Sequence, residues 1–305
     1  MRTAVSLSAI ALACVALAPA TAAATTAAST DPVPGPTPTT SVTDLDGMGG
    51  LASETVSYGK HRHQQMDVWW TPDGQKRPGI FIVHGGWWSS GDKKQMTEIT
   101  RTYADRGYTV FNLNYRLSTE AAWPAQRADA LDAIATAKRH ADRWAFDAGN
   151  FVVTGFSAGG HIAAAVGTYG NGMPGLKGVV GLSPIISPLR AYTDGATAAD
   201  PYAARLRKAA IQLAGGCAPK GKCSRVWASM EVAWHASAKD APMLTVHSQF
   251  EFVPPVQSML LKQTLAKAGV PVQVVTVPGT AHASGLHRNV SVAERVQKWI
   301  TERIG

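Results

Sequence analysis

The sequence predicts an α/β fold in which a mostly parallel sheet is covered by helices on both faces. Three observations carry this. Apolar runs bounded by turn residues alternate with helical patterns along the chain. Several of those runs are too apolar to leave one face wet, as expected of central parallel strands. One of them, "VVTGFSAGGHIAA" (152–164), runs directly into a glycine cluster around a single serine.

In chain order, strands are expected at Met66–Trp70, Ile80–Val83, Thr109–Asn114, Phe151–Thr154, Val179–Leu182, Met243–Val246 and Val272–Val277. Helical patterns fall at Met96–Arg106, Ala125–Ala141, Gly160–Thr168, Pro255–Ala268 and Val290–Glu302. The stretch 187–238 breaks the alternation and is expected to be an inserted helical cap. The folded domain is expected over 51–305. With 305 residues, 45% of them hydrophobic, the chain is long and apolar enough for one such core.

The residues before this domain belong to other categories. Met1-Arg2 precedes the apolar run "AVSLSAIALACVALA" and then small residues suited to cleavage, so 1–24 are expected to be a secretory signal peptide. Residues 25–50 are rich in Ala, Thr and Pro and poor in bulky apolar side chains. They are expected to be a disordered linker. No second long apolar run follows, so no integral membrane span is expected and the mature protein should be secreted.

Export fits the cysteines. Once Cys14 leaves with the leader, only Cys217 and Cys223 remain, in "CAPKGKC". A disulfide is the natural reading in an oxidising compartment, since no histidine or second cysteine pair stands nearby at metal-ligand spacing. Lys and Arg exceed Asp and Glu, 29 against 21. Yet the positive charges are scattered without long runs or interleaved aromatics, which argues against a nucleic-acid partner.

A strand-to-helix turn at the carboxyl edge of such a sheet is where ligands bind. Gly155-Phe156-Ser157-Ala158-Gly159 has the G-x-S-x-G spacing of a nucleophile elbow, in which small neighbours let the chain double back around a strained serine. A reactive serine also needs donors for an oxyanion. "FIVHGGWWSSGDK" ends another predicted buried strand in side-chain-free residues, so the N–H groups of Gly86 and Trp87, with that of Ala158, are the expected oxyanion hole. His84 is expected to bond loop backbone rather than to catalyse. Trp87 and Trp88 are candidates for shaping the substrate pocket.

The base is expected in a loop after the last strand, where "VQVVTVPGTAHASG" supplies His282, with His287 as second choice. His61 and His63 precede the sheet, His140 lies in a polar helix, and His161 sits beside the elbow. The acid should follow the Met243–Val246 strand. Glu251 is the one carboxylate in "HSQFEFVPP"; Asp194 is the alternative and Asp240 lies before the strand.

Serine, acid and histidine in that order resemble the α/β-hydrolase superfamily from about Tyr58 to the C-terminus. The blocks "YGKHRHQQMDVWWTP", "HGGWWSSGDK", "NLNYRLS", "WPAQRADALDAI", "GFSAGGHIAA" and "VPGTAHA" are similar to secreted carboxylesterases. These include acetyl-xylan and feruloyl esterase relatives and hormone-sensitive-lipase-like enzymes. The resemblance implies a serine esterase that needs neither metal nor organic cofactor and acts on small-molecule or polysaccharide-linked esters. Two departures stand out. Trp87 replaces the third glycine of many relatives, as in the kynurenine-formamidase-like group, which leaves an amide or formamide substrate open. Relatives often read Asp-x-x-Val-Pro, and here Phe250 stands at the aspartate position, with Glu251 beside it. An inactivated scaffold that binds cell wall is the competing function of another class.

Overall fold

Alternating inward and outward side chains let one strand feed two cores, and β4 (Arg77–Val83) illustrates the rule. Ile80 and Ile82 join a buried cluster on one face with Val110, Val152 and Val180, against helices α1 (Thr97–Ala104) and α9 (Val290–Ile304). Phe81 and Val83 face the other way, toward Phe111, Phe146 and Phe151 and toward α2 (Ala125–Arg139) and α3 (Ala158–Gly167). The computed structural model describes residues 43–44 and 50–305, all within the unit Pro38–Gly305. The expected signal peptide and most of the expected linker lie outside the described residues.

The remaining strands are β1 (Thr43–Asp44), β2 (Ala52–Ser57), β3 (Gln65–Trp70), β5 (Thr109–Leu113), β6 (Phe146–Phe156), β7 (Leu176–Leu182), β8 (Met243–Ser248) and β9 (Val272–Val277). Together they form a sheet of order β1-β2-β3-β5-β4-β6-β7-β8-β9. Pairing is antiparallel from β1 to β5 through β3 and parallel from β5 to β9. The carboxyl ends of the central parallel strands therefore share one edge.

All seven expected strands are present, Val272–Val277 with the expected bounds and the others shifted. Strand β2 had no counterpart in the sequence pattern because one of its inward positions is Glu54, a buried carboxylate that bonds Arg143 and the Trp144 indole. A charged residue at a core position erases the alternation that marks a strand. Strand β6 begins before the apolar run, since Phe146 pairs with Arg77 ahead of a register shift.

The five expected helices are all found, the fourth as α7 (Val256–Lys267), and a short α8 (Ser284–His287) is added to them. Between β7 and β8 the alternation gives way to α4 (Pro188–Asp194), α5 (Pro201–Leu213) and α6 (Ser224–Met230), the expected helical cap. Cys217 and Cys223 form a disulfide within it, with Cα atoms 6.2 Å apart. The Trp227 indole N–H donates to Cys217 O at 2.8 Å beside it. Among the described residues no helix is long and apolar enough to cross a membrane.

Candidate active site

The glycine cluster is explained by close approach. A side chain on Gly155 would place its Cβ 2.1 Å from Gly159 O, and one on Gly159 would sit 2.2 Å from Val83 O. Only glycine lets β6 turn into α3 so tightly and lie against the end of β4. Ser157, at the turn, has φ 53° and ψ −116°, a strained conformation for a residue with a side chain. Its N–H is anchored on Leu182 O at 2.8 Å, which ties the elbow to the end of β7.

His282 arrives in the loop after β9. Its Nε2 lies 2.8 Å from Ser157 Oγ and its Nδ1 2.5 Å from Glu251 Oε2. Burial raises the Glu251 pKa, but hydrogen bonds from His247 and His282 outweigh it and hold the carboxyl below its ordinary range. The carboxylate is therefore ionised and acts only as an acceptor. Nδ1 must then carry the proton, and Nε2 is left to accept from the serine hydroxyl.

Glu251 is itself held from two sides. Ser183 Oγ donates to its Oε1 at 2.9 Å and accepts the Ala283 N–H at 2.9 Å, so one hydroxyl bridges the acid and the residue after His282. The Ser248 N–H also donates to Oε1 at 2.9 Å. The local pairing settles which neighbour faces inward. Gln249 N–H and Phe250 N–H continue the ladder onto Val277 O and Gly279 O, which leaves Phe250 68% exposed and turns Glu251 into the interior. The alternatives do not reach His282. Asp194 pairs with Arg190 on α4, and Asp240 caps Ser237. His287 is buried against the Tyr103 hydroxyl, and desolvation lowers its pKa to about 4.

At the end of β4 the loop His84-Gly85-Gly86-Trp87 runs beside the elbow. A Cβ on Gly85 would be 2.9 Å from Phe156 O and 3.2 Å from Ser157 Cβ. Gly86 has φ 120° and Trp87 φ 59°. The Gly86 carbonyl accepts the Ser89 and Ser90 N–H groups, and no described residue accepts the N–H of Gly86 or Trp87. Ala158 is the first residue of α3, and its N–H lies outside the intrahelical ladder. His84 bonds Gly85 O through Nδ1 at 2.7 Å and stacks on Tyr115, and desolvation brings its pKa to about 4, so it serves the loop as expected.

A cavity of about 600 Å³ opens over Ser157 and His282, lined by Trp87, Tyr202, Phe252 and Arg288 among others. Of the two tryptophans expected there, only Trp87 lines it. Trp88 is a correction: it is fully buried, and its indole N–H donates to His161 Nδ1 at 3.2 Å. Adjacent residues with φ near +58° point to different sides of the loop, and a fully desolvated indole needs an internal acceptor.

Residues 66–181 match the BD-FAE family model. Over 114 residues the chain is 32% identical to "Probable carboxylic ester hydrolase LipM" of Mycobacterium tuberculosis (strain ATCC 25618 / H37Rv), covering 36% of this chain and 26% of that protein. It is 32% identical over 119 residues to Esterase LipC of the same organism, covering 38% and 30%. The matching segments thus span under a third of those relatives' own length. The crystal structure of esterase B from Lactobacillus rhamnosis (HN001) superposes with a TM-score of 0.71 at 19% identity, covering 83% of this chain and 85% of that one. The chain has the α/β-hydrolase fold.

Within that hydrolase fold, sequence reasoning missed Ser183, Phe252 and Tyr202. Ser183 directly follows the apolar strand β7 at the ligand-bearing edge, a position that could have marked it, and its φ is 51°. Phe252 packs on the His282 ring at 4.3 Å between centroids and stacks on Trp87 at 5.1 Å and Tyr202 at 5.4 Å. Tyr202 had no signal, since it comes from the cap.

Proposed function

We propose that the chain is a serine hydrolase that cleaves carboxylic esters by acyl transfer. The observation that carries this is the continuous hydrogen-bonded chain Ser157–His282–Glu251 opening on a cavity. Ser157 Oγ attacks the ester carbon while its proton passes to His282 Nε2. Glu251 stabilises the resulting imidazolium. The N–H groups of Gly86, Trp87 and Ala158 face the developing oxyanion. Nε2 then gives its proton to the leaving alkoxide as the carbon–oxygen bond breaks. Water, deprotonated by the same nitrogen, attacks the acyl-serine and restores the free hydroxyl. The names of the matched relatives, an ester hydrolase and an esterase, support the same reaction class.

Trp87 and Phe252 form the wall that contacts the acyl or alcohol group, and the open cavity suits small esters or acyl groups borne on a polysaccharide. A fluorophosphonate probe tests the reading: the wild-type protein should label and Ser157→Ala should not. An unlabelled wild type would favour the inactivated cell-wall-binding scaffold. Trp87 in place of a third glycine motivates the amide reading, and a panel of short-chain nitrophenyl, acetyl-polysaccharide, feruloyl and formamide substrates decides between them.

The leader and linker readings belong here too. We infer export with cleavage near residue 24, with the following residues linking the leader to the catalytic domain; Thr43–Asp44, within the expected linker, pair with β2 as strand β1. The cap disulfide supports an oxidising destination. N-terminal sequencing of the protein from culture medium checks it, and recovery of intact Met1 in the cells would overturn it.

A further inference from the structure

On the rim of the sheet, apart from the serine site, a tight loop after β2 carries His61 and His63 toward Glu120. The loop is fixed by its own bonds. Tyr58 N–H donates to Gln64 O at 2.9 Å and Gln64 N–H to His61 O at 2.8 Å. The Gln64 amide accepts the His61 N–H at 3.0 Å and donates to Asp129 at 2.8 Å. The Gln64 side chain fills the space over Gly59, where a Cβ would lie 2.3 Å from it. The two imidazoles are thus presented two residues apart on a preorganised turn, with ring centroids 5.7 Å apart.

Glu120 reaches them from the segment before α2. Its Oε2 is 2.6 Å from His63 Nδ1 and accepts the Leu117 N–H at 3.1 Å, and its Oε1 takes Arg62 at 2.8 Å. One ligand atom from each of His61, His63 and Glu120 lies within 4.8 Å of the others. His61 and His63 are half-buried on this rim, and Glu120 lies at the surface with its carboxylate turned toward them.

We propose that His61, His63 and Glu120 form a binding site for a divalent transition-metal ion of the zinc type. Two imidazoles and one carboxylate are the donor set such an ion takes in a tetrahedral site, with water in the fourth place. The ion replaces the contact between His63 and Glu120, which lengthens as both become ligands. His61 contributes Nδ1, which now accepts the His63 N–H at 3.2 Å and exchanges that weak bond for the metal. Leu117 N–H and Arg62 remain as hydrogen-bond partners that orient the carboxylate. Sequence inspection could not find the set, because Glu120 is 57 residues from His63.

The bound ion ties the 58–64 turn to the 117–121 segment. The neighbouring Ser118 N–H donates to Trp88 O at 2.7 Å, so this clamp sits behind the glycine loop without touching the reacting groups. Its role is structural, and the proposal stands whether or not the chain hydrolyses esters.

The test is calorimetric titration of Zn²⁺ into the tag-free, chelator-treated protein. One site per chain is expected, weakened about tenfold or more in each of His61→Ala, His63→Ala and Glu120→Gln. It should be retained in His282→Ala. Absence of a site in the wild type, binding that survives all three changes, or binding lost only in His282→Ala would each overturn the assignment. If the variants fold poorly, the visible spectrum of the unaltered protein with Co²⁺ decides: intense tetrahedral bands support the site, and the weak spectrum of the hydrated ion rejects it.

Discussion

The two walls of the cavity are built by different physics. On the sheet side, each group in the proposed triad is held by directional bonds to strand ends: Ser157 through Leu182 O, and Glu251 through Ser183, Ser248 and His282. On the cap side, the wall is a stack of rings, Trp87 on Phe252 on Tyr202, with the Arg205 guanidinium 4.6 Å from the Trp87 centroid. Tyr202, at its edge, is 55% exposed. Hydrogen bonds fix angle and distance, whereas stacking tolerates sliding. For the proposed esterase reaction, this contrast assigns bond making to the rigid wall and substrate selection to the adaptable one.

If that division is right, damage to the rigid wall should appear in kcat and damage to the stacked wall in KM. The largest effect is expected for Ser157→Ala and His282→Ala, each lowering nitrophenyl-ester turnover by about 10⁴-fold or more with an unchanged urea midpoint. Turnover retained in either variant would break the assignment of the reacting groups. Glu251→Gln keeps the shape but removes the charge facing imidazolium. It should cost roughly 10³ to 10⁴ in kcat with little change in KM, while Asp194→Asn is mild.

Ser183→Ala sharpens the comparison, since Ser183 does not line the cavity and its hydroxyl bonds Glu251 and the Ala283 N–H. Loss of a hydrogen bond to a charged group, about 1.5–3 kcal/mol, should lower kcat by about 10- to 100-fold at unchanged KM. Restoration by Ser183→Thr would identify the hydroxyl as the positioning group.

The rigid wall also carries a pH signature. His84, His161 and His287 are desolvated, with pKa values lowered from 6.5 to about 4. Between those values the unfolded chain binds more protons than the folded one. Stability should therefore rise with pH across about 4 to 6.5 and fall on acidification, by about 1.4 kcal/mol per pH unit for each histidine. His161 joins the walls, as its Nε2–H donates to Met230 O in the cap at 2.8 Å. Urea titrations from pH 4 to 7 check the slope, and His161→Gln should reduce it by about a third.

The smallest effect is expected from Tyr202→Ala, which removes one stacked ring worth roughly 0.5–1.5 kcal/mol. KM for aromatic or long-chain esters should rise by about 2- to 10-fold with kcat nearly constant. A fall in kcat matching that of Ser183→Ala would mean that the cap also positions the reacting groups.

The element order and the elbow were legible in the amino-acid sequence because their causes act over a few residues. Strand alternation, helical period and the sterics of Gly155 and Gly159 are written within a single turn of chain. The same locality made His282 visible as a histidine in a loop after the last strand. What failed or stayed open depends on distant partners. Strand β2 was hidden because Glu54 occupies a core position that only Arg143 and Trp144 make tolerable.

The choice between Phe250 and Glu251 was settled by pairing with Val277 and Gly279, since a one-residue change of phase reverses which side chain faces the interior. Trp88 shows the same limit, because its neighbour Trp87 has nearly the same φ and yet lines the cavity. The sequence alone determined the fold class and singled out Ser157 and His282, all through short-range sterics and period. Only tertiary structure decided which carboxylate reaches that histidine and which rings line the cavity, because both depend on distances between segments that the chain order does not encode.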